Sequence, residues 1–200
     1  MTWKTLAAKP TVLRCSRCGR FVDWAEARLQ IVCECRPRLD LPPVLTRDAT
    51  GADREAALDL FRRDFGRTDV TAYDEVVSLD HNPGIIVAEM EGELSGALAW
   101  RRHGDALQVV ALATDPMWQR SGVGGHLLAE AEATARRASL ARIIIATTND
   151  NLPALYFYQR RGYRITEVVQ GAGAQHAAAP AGTGFADIPV LDELRLGKAL

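Results

Sequence analysis

The chain has 200 residues, of which 48% are hydrophobic and 24% are charged, and its formal net charge is −1. This composition is typical of a soluble globular protein with one domain of ordinary size. The small net charge argues against polyanion binding by the whole chain, and no apolar run approaches the length of a membrane span or a secretion signal. We therefore expect a cytoplasmic protein with no membrane partner.

All four cysteines lie in the first forty residues: Cys15 and Cys18 are spaced C-x-x-C, and Cys33 and Cys35 are spaced C-x-C. Two short thiolate pairs can supply the four ligands of a tetrahedral Zn²⁺, and a bound metal would compensate for the small core of so short a segment. The alternatives are free thiols, two disulfides or another metal, and a reducing cytoplasm disfavours the disulfides. The spacing predicts a zinc-ribbon-like structural site, because four thiolates leave no open position for a substrate.

The same segment is basic, with eight Lys and Arg residues against four Asp and Glu residues. Leu41-Pro42-Pro43 follows this shift in composition, so we predict a boundary that separates an extension at 1–40 from a domain at 41–200. The basic flank suggests a contact with a nucleic acid or an acidic protein. A structural role with a solvated basic face is the favoured interpretation.

From residue 41 onward, hydrophobic periodicity and turn residues predict alternating strands and helices. The predicted elements are a strand at 44–47, a helix capped by Thr50 or Asp53 that runs to Phe65, a second helix from Asp69 or Thr71 through Leu79, strands at 84–91, 94–102 and 107–113, a helix after the glycines at 122–125, a strand at 142–147, a helix from Asn149–Asn151 to about Arg161, a strand at 163–169, a mobile loop at 170–187 and a strand at 188–196. This order predicts an α/β fold, with a mixed central sheet of about six to seven strands and helices on both faces.

The stretch Gln119-Arg120-Ser121-Gly122-Val123-Gly124-Gly125 lies where a predicted strand turns into a predicted helix. A helix start offers unpaired backbone N–H groups and the positive end of the helix dipole, and glycines allow a diphosphate to approach the backbone closely. A dinucleotide fingerprint is excluded, because Leu127 stands where the third glycine belongs and three strands precede the loop. No segment matches a Walker loop.

The stretch instead resembles the acyl-CoA loop of the GNAT superfamily of N-acyltransferases, whose pattern is [RQ]-x-x-G-x-[GA]. Gln119, Gly122 and Gly124 match this pattern. The strand order, the segment from Asn151 through Tyr158 to Tyr163, and the closing strand extend the resemblance over about residues 41–200, and the first forty residues lie outside it.

The resemblance implies that acetyl-CoA is the co-substrate and that the glycine loop binds its diphosphate. It implies backbone contacts from Arg120, Gly122, Val123, Gly124 and Gly125. It also implies that the main chain of Leu112 and Thr114 binds the pantetheine arm, and that Asn151 contacts this arm while capping the last helix. The purely structural alternative for Asn151, an N-cap alone, stays open.

Tyr158 is the predicted catalytic residue, because the resemblance points its phenol at the sulfur of CoA. A phenol can donate a proton to the leaving thiolate. By spacing alone, a packed tyrosine beside Tyr156 and Phe157 would be expected instead.

No general base can be identified from the sequence, since the strand at 109–113 carries no carboxylate. His81, Glu89, Glu91 and Glu193 are candidates, and each is an ordinary surface residue by type. His126 is expected only to lie near the cofactor.

The resulting hypothesis is an N-acetyltransferase that acts on a small-molecule or peptide primary amine in a ternary complex, as a monomer or homodimer. The alternative is a catalytically idle acyl-CoA-binding module whose zinc segment recruits a protein or nucleic acid.

Overall fold

The computed structural model describes residues 12–14, 21–23, 42–81, 84–119, 121–175 and 184–200. Backbone contacts divide the chain into two units, Met1–Leu41 and Pro42–Leu200. In the first unit, β1 (Val12–Arg14) and β2 (Phe21–Asp23) form an antiparallel pair in which Arg14 lies opposite Phe21. The four cysteines lie outside the described residues.

The second unit is built on a seven-stranded sheet with the strand order β10-β11-β9-β8-β7-β6-β3. The elements of this unit are β3 (Leu45–Asp48), α1 (Gly51–Phe65), β4 (Asp69–Ala72), β5 (Glu75–Ser78), β6 (Gly84–Met90), β7 (Glu93–His103), β8 (Ala106–Thr114), α2 (Val123–Arg137), β9 (Arg142–Thr148), α3 (Leu152–Gln159), β10 (Arg164–Val169) and β11 (Glu193–Ala199). The sheet is mixed, because β8 and β9 pair in parallel while the other pairs of described strands are antiparallel. This confirms the predicted fold class.

The helices α1 and α2 pack on opposite faces of the sheet. Leu60 and Phe61 of α1 belong to a core cluster that also contains Ala97 of β7. Gly96, the preceding residue in β7, instead lies against Val123 of α2, since a Cβ on Gly96 would come within 2.6 Å of that side chain. Successive residues of a strand face opposite sides of a sheet, so the sheet is covered on both faces.

The start of α1 is formed as the sequence predicts. Thr50 is the N-cap, and the Asp53 carboxylate accepts hydrogen bonds from the backbone N–H of Thr50 at 2.7 Å and from its hydroxyl at 2.6 Å. Arg47 binds the same carboxylate at 2.6 Å. These local contacts define the helix start, and Gly66 ends the helix with a φ of 70°.

The second predicted helix, from Asp69 or Thr71 through Leu79, is wrong. These residues form the β4–β5 hairpin, in which Ala72 lies opposite Glu75. Tyr73 and Asp74 have φ values of 55° and 61°, the left-handed geometry of a tight two-residue hairpin turn. The alternation of an exposed Val76 with a buried Val77 has the period of a strand, and a short run of this kind also fits a helical period.

Three other boundaries differ from the predictions. The last helix ends at Gln159 rather than near Arg161, and the closing strand covers 193–199 rather than 188–196. Asn149 accounts for the later strand start, because its Oδ1 accepts hydrogen bonds from the N–H groups of Leu191 and Asp192 at 2.8 and 3.0 Å. The predicted loop contains short 3-10 helices at Ala172–Gln175 and Phe185–Asp187, and residues 176–183 lie outside the described residues.

Among the described residues, no helix combines the length and the apolar character needed to cross a membrane.

Candidate active site

A gap opens between β8 and β9 in the middle of the sheet. Their parallel pairing runs from Ala106 opposite Arg142 to Val109 opposite Ile145 and then stops, although β8 continues to Thr114 and β9 to Thr148. A register shift in the β7–β8 pairing falls at the same level, between Ala99 and Trp100. Such a bulge bends a strand and increases its twist, so it accounts for the divergence of β8 from β9.

The backbone of β8 faces this gap with unpaired groups. The N–H of Asp115 donates to the carbonyl of Ser95 at 2.9 Å, on the β7 side. Because backbone groups alternate along a strand, those of Leu112 and Thr114 point to the opposite side, into the gap. A ligand placed there can take the position of a missing strand.

The turn that follows β8 leads directly into α2. The Asp115 carboxylate accepts the N–H of Met117 at 2.9 Å and starts a short 3-10 helix, Pro116–Trp118, which ends at the exposed Gln119. The hydroxyl of Ser121 donates to the carbonyl of Trp118. Arg120 lies outside the described residues.

The start of α2 has the properties of an anion site. Gly122 is the N-cap with a φ of 101°, a conformation that favours glycine, and no side chain caps the helix. The carbonyl of Gly122 accepts hydrogen bonds from the N–H groups of Gly125 and His126 at 2.9 and 3.1 Å. Within the described part of the chain, the N–H groups of Gly122, Val123 and Gly124 have no acceptor. Unpaired N–H groups at the positive end of a helix dipole attract phosphate.

The first turn of α2 lies against α3. A Cβ on Gly124 would come within 3.1 Å of the Phe157 ring and 3.6 Å of Leu112. A methyl group at this position would require the Phe157 ring to move by a few tenths of an ångström, whereas its distance to Leu112 would be that of an ordinary contact. The small residue in the pattern thus also has a packing role.

Tyr158 is buried on α3. Its ring packs edge-on against Phe157 at a centroid distance of 5.3 Å and against Tyr163 at 6.0 Å. Burial raises the pKa of the Tyr158 hydroxyl to about 12, so the phenol is protonated at neutral pH. The hydroxyl has no hydrogen-bond partner within the described part of the chain.

Asn151 is the N-cap of α3, and its Oδ1 accepts the N–H of Ala154 at 3.2 Å. The side chain is exposed, so this structural role leaves its amide group accessible. The predicted cofactor contact of Asn151 stays a prediction.

The four candidate general bases are divided between ion pairs and the surface. Glu89 pairs with Arg47, and the buried Glu193 accepts a hydrogen bond from Arg195 at 2.5 Å. His81 and Glu91 are exposed. The structure therefore singles out none of them. His126 is exposed in the first turn of α2, where Nδ1 lies 3.2 Å from the carbonyl of Gly122.

Arg161 is a residue of this region that the sequence reasoning missed. Its guanidinium stacks on Phe157, with Cζ 3.8 Å from the ring centroid, and it lies beside Gly125 of α2. The i,i+4 spacing of Phe157 and Arg161 was an available signal, since residues four apart meet on a helix surface.

No group of three or more His, Cys, Asp or Glu residues suited to a metal ion occurs among the residues that the structure describes. The predicted ligands Cys15, Cys18, Cys33 and Cys35 lie outside that part of the chain.

Comparison with known proteins agrees with this architecture. The sequence profile of the acetyltransferase (GNAT) family matches residues 51–163, which include the gap, the glycine loop and α3. The chain belongs to this family. As a GNAT protein it is an acyl-CoA N-acyltransferase, and the resemblance inferred from the glycine loop is confirmed.

The GNAT chain has a curated relative in Bacillus subtilis (strain 168), the uncharacterised protein YxbD, which is 30% identical over 143 residues, covering 70% of this chain and 89% of YxbD. A solved structure of an IAA acetyltransferase from Bacillus cereus ATCC 14579 is similar, with a TM-score of 0.62 and 19% identity over 79% of this chain and 100% of that chain. A Bacillus subtilis acetyltransferase in complex with CoA has a TM-score of 0.58 and 20% identity over 80% of this chain and 99% of that chain. These two similarities support the fold.

Proposed function

We propose that this GNAT protein transfers the acetyl group of acetyl-CoA to a primary amine by direct attack within a ternary complex. The observation that carries the proposal is the end of β8–β9 pairing at Val109 and Ile145, because it leaves strand-like backbone groups unpaired beside an uncapped helix start. An extended pantetheine arm with a diphosphate at one end fits both features.

The residues present fit such a donor. The backbone groups of Leu112 and Thr114 would bind the pantetheine arm and the thioester carbonyl, as an added strand would. The N–H groups of Gly122, Val123 and Gly124 would bind the diphosphate. The predicted contact of Gly125 is not made by a free N–H group, because that N–H donates to the carbonyl of Gly122. Of the remaining predicted contacts, Gln119 and Arg120 lie in the sequence between Thr114 and Gly122, and Asn151 caps the start of α3.

In the proposed reaction, acetyl-CoA supplies an activated acyl group. The amine lone pair forms the C–N bond, the C–S bond breaks, and the amine nitrogen loses one proton. Tyr158, whose phenol is protonated at neutral pH, donates its hydroxyl proton to the departing sulfur. The proton from the amine passes to water in this scheme, since no side chain has been assigned as the base, and the Tyr158 phenolate regains a proton from water.

The idle acyl-CoA-binding module is the second candidate function. The presence of Tyr158 at the position that the resemblance assigns to the proton donor favours the enzyme, and no described residue engages its hydroxyl. The proposed acceptor is a small-molecule amine or a peptide amine.

An acetylation screen tests the proposal. Acetyl-CoA consumption is followed with a thiol reagent over polyamines, amino acids, aminoglycosides and peptides with free N-termini, and CoA binding is measured by calorimetry in parallel. Transfer to one amine class establishes the enzyme. CoA binding without transfer to any of them would favour the idle module, and absence of CoA binding would refute both.

We also propose that the extension at 1–40 holds a structural Zn²⁺ through Cys15, Cys18, Cys33 and Cys35. Four thiolates form a donor set that suits tetrahedral zinc, and Cys15 and Cys18 fall in the sequence between the two paired strands β1 and β2. Thiols stay reduced in the cytoplasm, which is where we place the protein. One zinc per chain by elemental analysis is expected, and substoichiometric zinc with four reactive thiols would refute the site.

A further inference from the structure

The guanidinium of Arg161 occupies a defined position between α3 and α2. It stacks on the Phe157 ring, and its Nη1 donates to the carbonyl of Phe157 at 3.0 Å. The opposite edge of the guanidinium faces α2. A Cβ on Gly125 would lie 2.9 Å from Nη2 and 3.5 Å from Nε, so only glycine accommodates this arrangement without a shift of the arginine.

This is an unfavourable place for a cation. The first turn of α2 is the positive end of the helix dipole, where a positive charge is destabilised. Burial and the neighbouring Arg160 both lower the pKa of Arg161. No carboxylate pairs with Arg161 among the described residues.

Most of the other arginines described in this unit are paired with carboxylates. The paired residues are Arg47, Arg62, Arg63, Arg101, Arg136, Arg137, Arg142 and Arg195. Arg161 differs from them in having a stacked, half-buried guanidinium that lies beside Gly125, in the same helix turn that carries the unpaired N–H groups. An anion bound at the start of α2 would satisfy both the guanidinium and the helix.

We propose that Arg161 binds a phosphate group of coenzyme A through the Nε–Nη2 edge of its guanidinium. This role rests on the proposed donor function of the glycine loop. Nη1 already has an acceptor, which leaves the planar Nε–Nη2 fork, the geometry that suits two oxygens of one phosphate. The stack on Phe157 holds the fork in place before the ligand arrives, so little side-chain entropy is lost on binding.

Coenzyme A carries phosphate at two places, in the diphosphate and in the 3′-phosphate. Calorimetric titrations with CoA, 3′-dephospho-CoA and pantetheine distinguish them. Arg160 supplies the matched control, because it is the adjacent arginine and its guanidinium instead contacts Tyr156, with Nη1 2.8 Å from the hydroxyl and Cζ 5.5 Å from the ring centroid.

We expect Arg161→Gln to weaken CoA binding by about 10- to 100-fold, the range of one charged hydrogen-bonding contact, while Arg160→Gln changes it less than about twofold. Pantetheine should bind both variants and the wild type equally. If Arg161→Gln also loses affinity for 3′-dephospho-CoA, Arg161 binds the diphosphate. If its affinity for 3′-dephospho-CoA equals that of the wild type, Arg161 binds the 3′-phosphate.

A second variant tests the same contact from the side of α2. Gly125→Ala places a methyl group against Nη2, at the flexible end of the arginine, and should therefore displace the guanidinium. Its effect on CoA binding should resemble that of Arg161→Gln. The double variant should bind CoA with about the same affinity as either single variant.

Three results separate the possible failures. Unchanged CoA affinity in Arg161→Gln would overturn the role of Arg161 alone. Equal losses for pantetheine and CoA would also overturn it, because they would indicate a disturbed fold. A wild-type protein that binds none of the three ligands would refute the proposed donor function on which this role rests.

Discussion

Replacing Tyr158 with phenylalanine removes one hydroxyl and leaves the buried ring. The contacts of that ring with Phe157 and Tyr163 do not involve the hydroxyl, so they persist in the variant. Because the hydroxyl has no partner among the described residues, its removal leaves no other described group unsatisfied. The free energy of unfolding should change by less than about 1 kcal/mol.

The effect on catalysis should be much larger. Burial raises the pKa of Tyr158 from 10.0 to about 12. A phenol with either pKa is protonated at neutral pH, so the hydroxyl proton is available, and the difference corresponds to about 3 kcal/mol against the phenolate. General acids contribute about 10²–10⁴-fold to a rate, and a thiolate is a good leaving group. We therefore expect kcat to fall at least about tenfold.

The assay measures acetyl-CoA consumption at saturating amine, and calorimetry measures CoA affinity in the same preparations. CoA affinity should stay within about twofold of the wild type, since the predicted diphosphate and pantetheine contacts come from other residues. Tyr156→Phe is the matched control, because Tyr156 lies two residues earlier on the same helix and is exposed. That variant should keep wild-type activity.

Wild-type turnover in Tyr158→Phe would refute the proton-donor role. A lower turnover accompanied by a lower CoA affinity and a lower stability would assign Tyr158 to packing instead. Only a fall in kcat with intact binding and folding supports the proposed chemistry.

Three further predictions concern stability and pH. Gly96→Ala places a Cβ 2.6 Å from the Val123 side chain, so it should shift the start of α2. The free energy of unfolding in urea titrations should fall by about 1–3 kcal/mol, and CoA binding should weaken. An unchanged free energy of unfolding together with an unchanged CoA affinity would contradict the close packing of α2 on β7. Arg195→Met removes the guanidinium that pairs with the buried carboxylate of Glu193 and should lower the free energy of unfolding by about 3–5 kcal/mol. Adding Glu193→Gln should restore much of this loss. Additive losses in the double variant would argue against the ion pair. Burial raises the pKa of Tyr73 to about 12, above its unfolded value of 10.0, so its contribution to stability is complete below pH 10 and is lost as the pH rises toward 12. Tyr73→Phe should therefore lose less stability than the wild type between pH 10 and 12, and parallel losses would show that other groups dominate alkaline unfolding.

Local signals predicted the elements whose ends are stabilised by nearby residues. Thr50 and Asp53 form a reciprocal capping box, and Gly66 ends the same helix, so α1 could be located without knowledge of its neighbours. The turn at Glu91 and Gly92 likewise has positive φ values of 55° and 82°, which agrees with its turn sequence.

The β4–β5 hairpin could not be identified in the same way, because distant residues hold its turn. The Asp74 carboxylate binds Arg195 of β11 at 2.7 Å, and the Arg195 guanidinium lies 4.7 Å from the centroid of the Tyr73 ring. Glu75 pairs with Arg101 of β7. These partners are far away in the sequence, and a short run rich in valine fits a helix or a strand by periodicity alone.

The sequence by itself determined that a glycine loop opens a helix after a buried strand and that the loop has the GNAT pattern, because turn geometry and helix capping depend on neighbouring residues. Tertiary structure decided where β8 and β9 part, since that depends on a bulge against β7. It also placed Arg161 beside Gly125, thirty-six residues earlier in the chain. The loop thus predicts the donor class from sequence alone, whereas the gap arises where β8 bulges against β7 and the arginine is placed when α3 packs against α2.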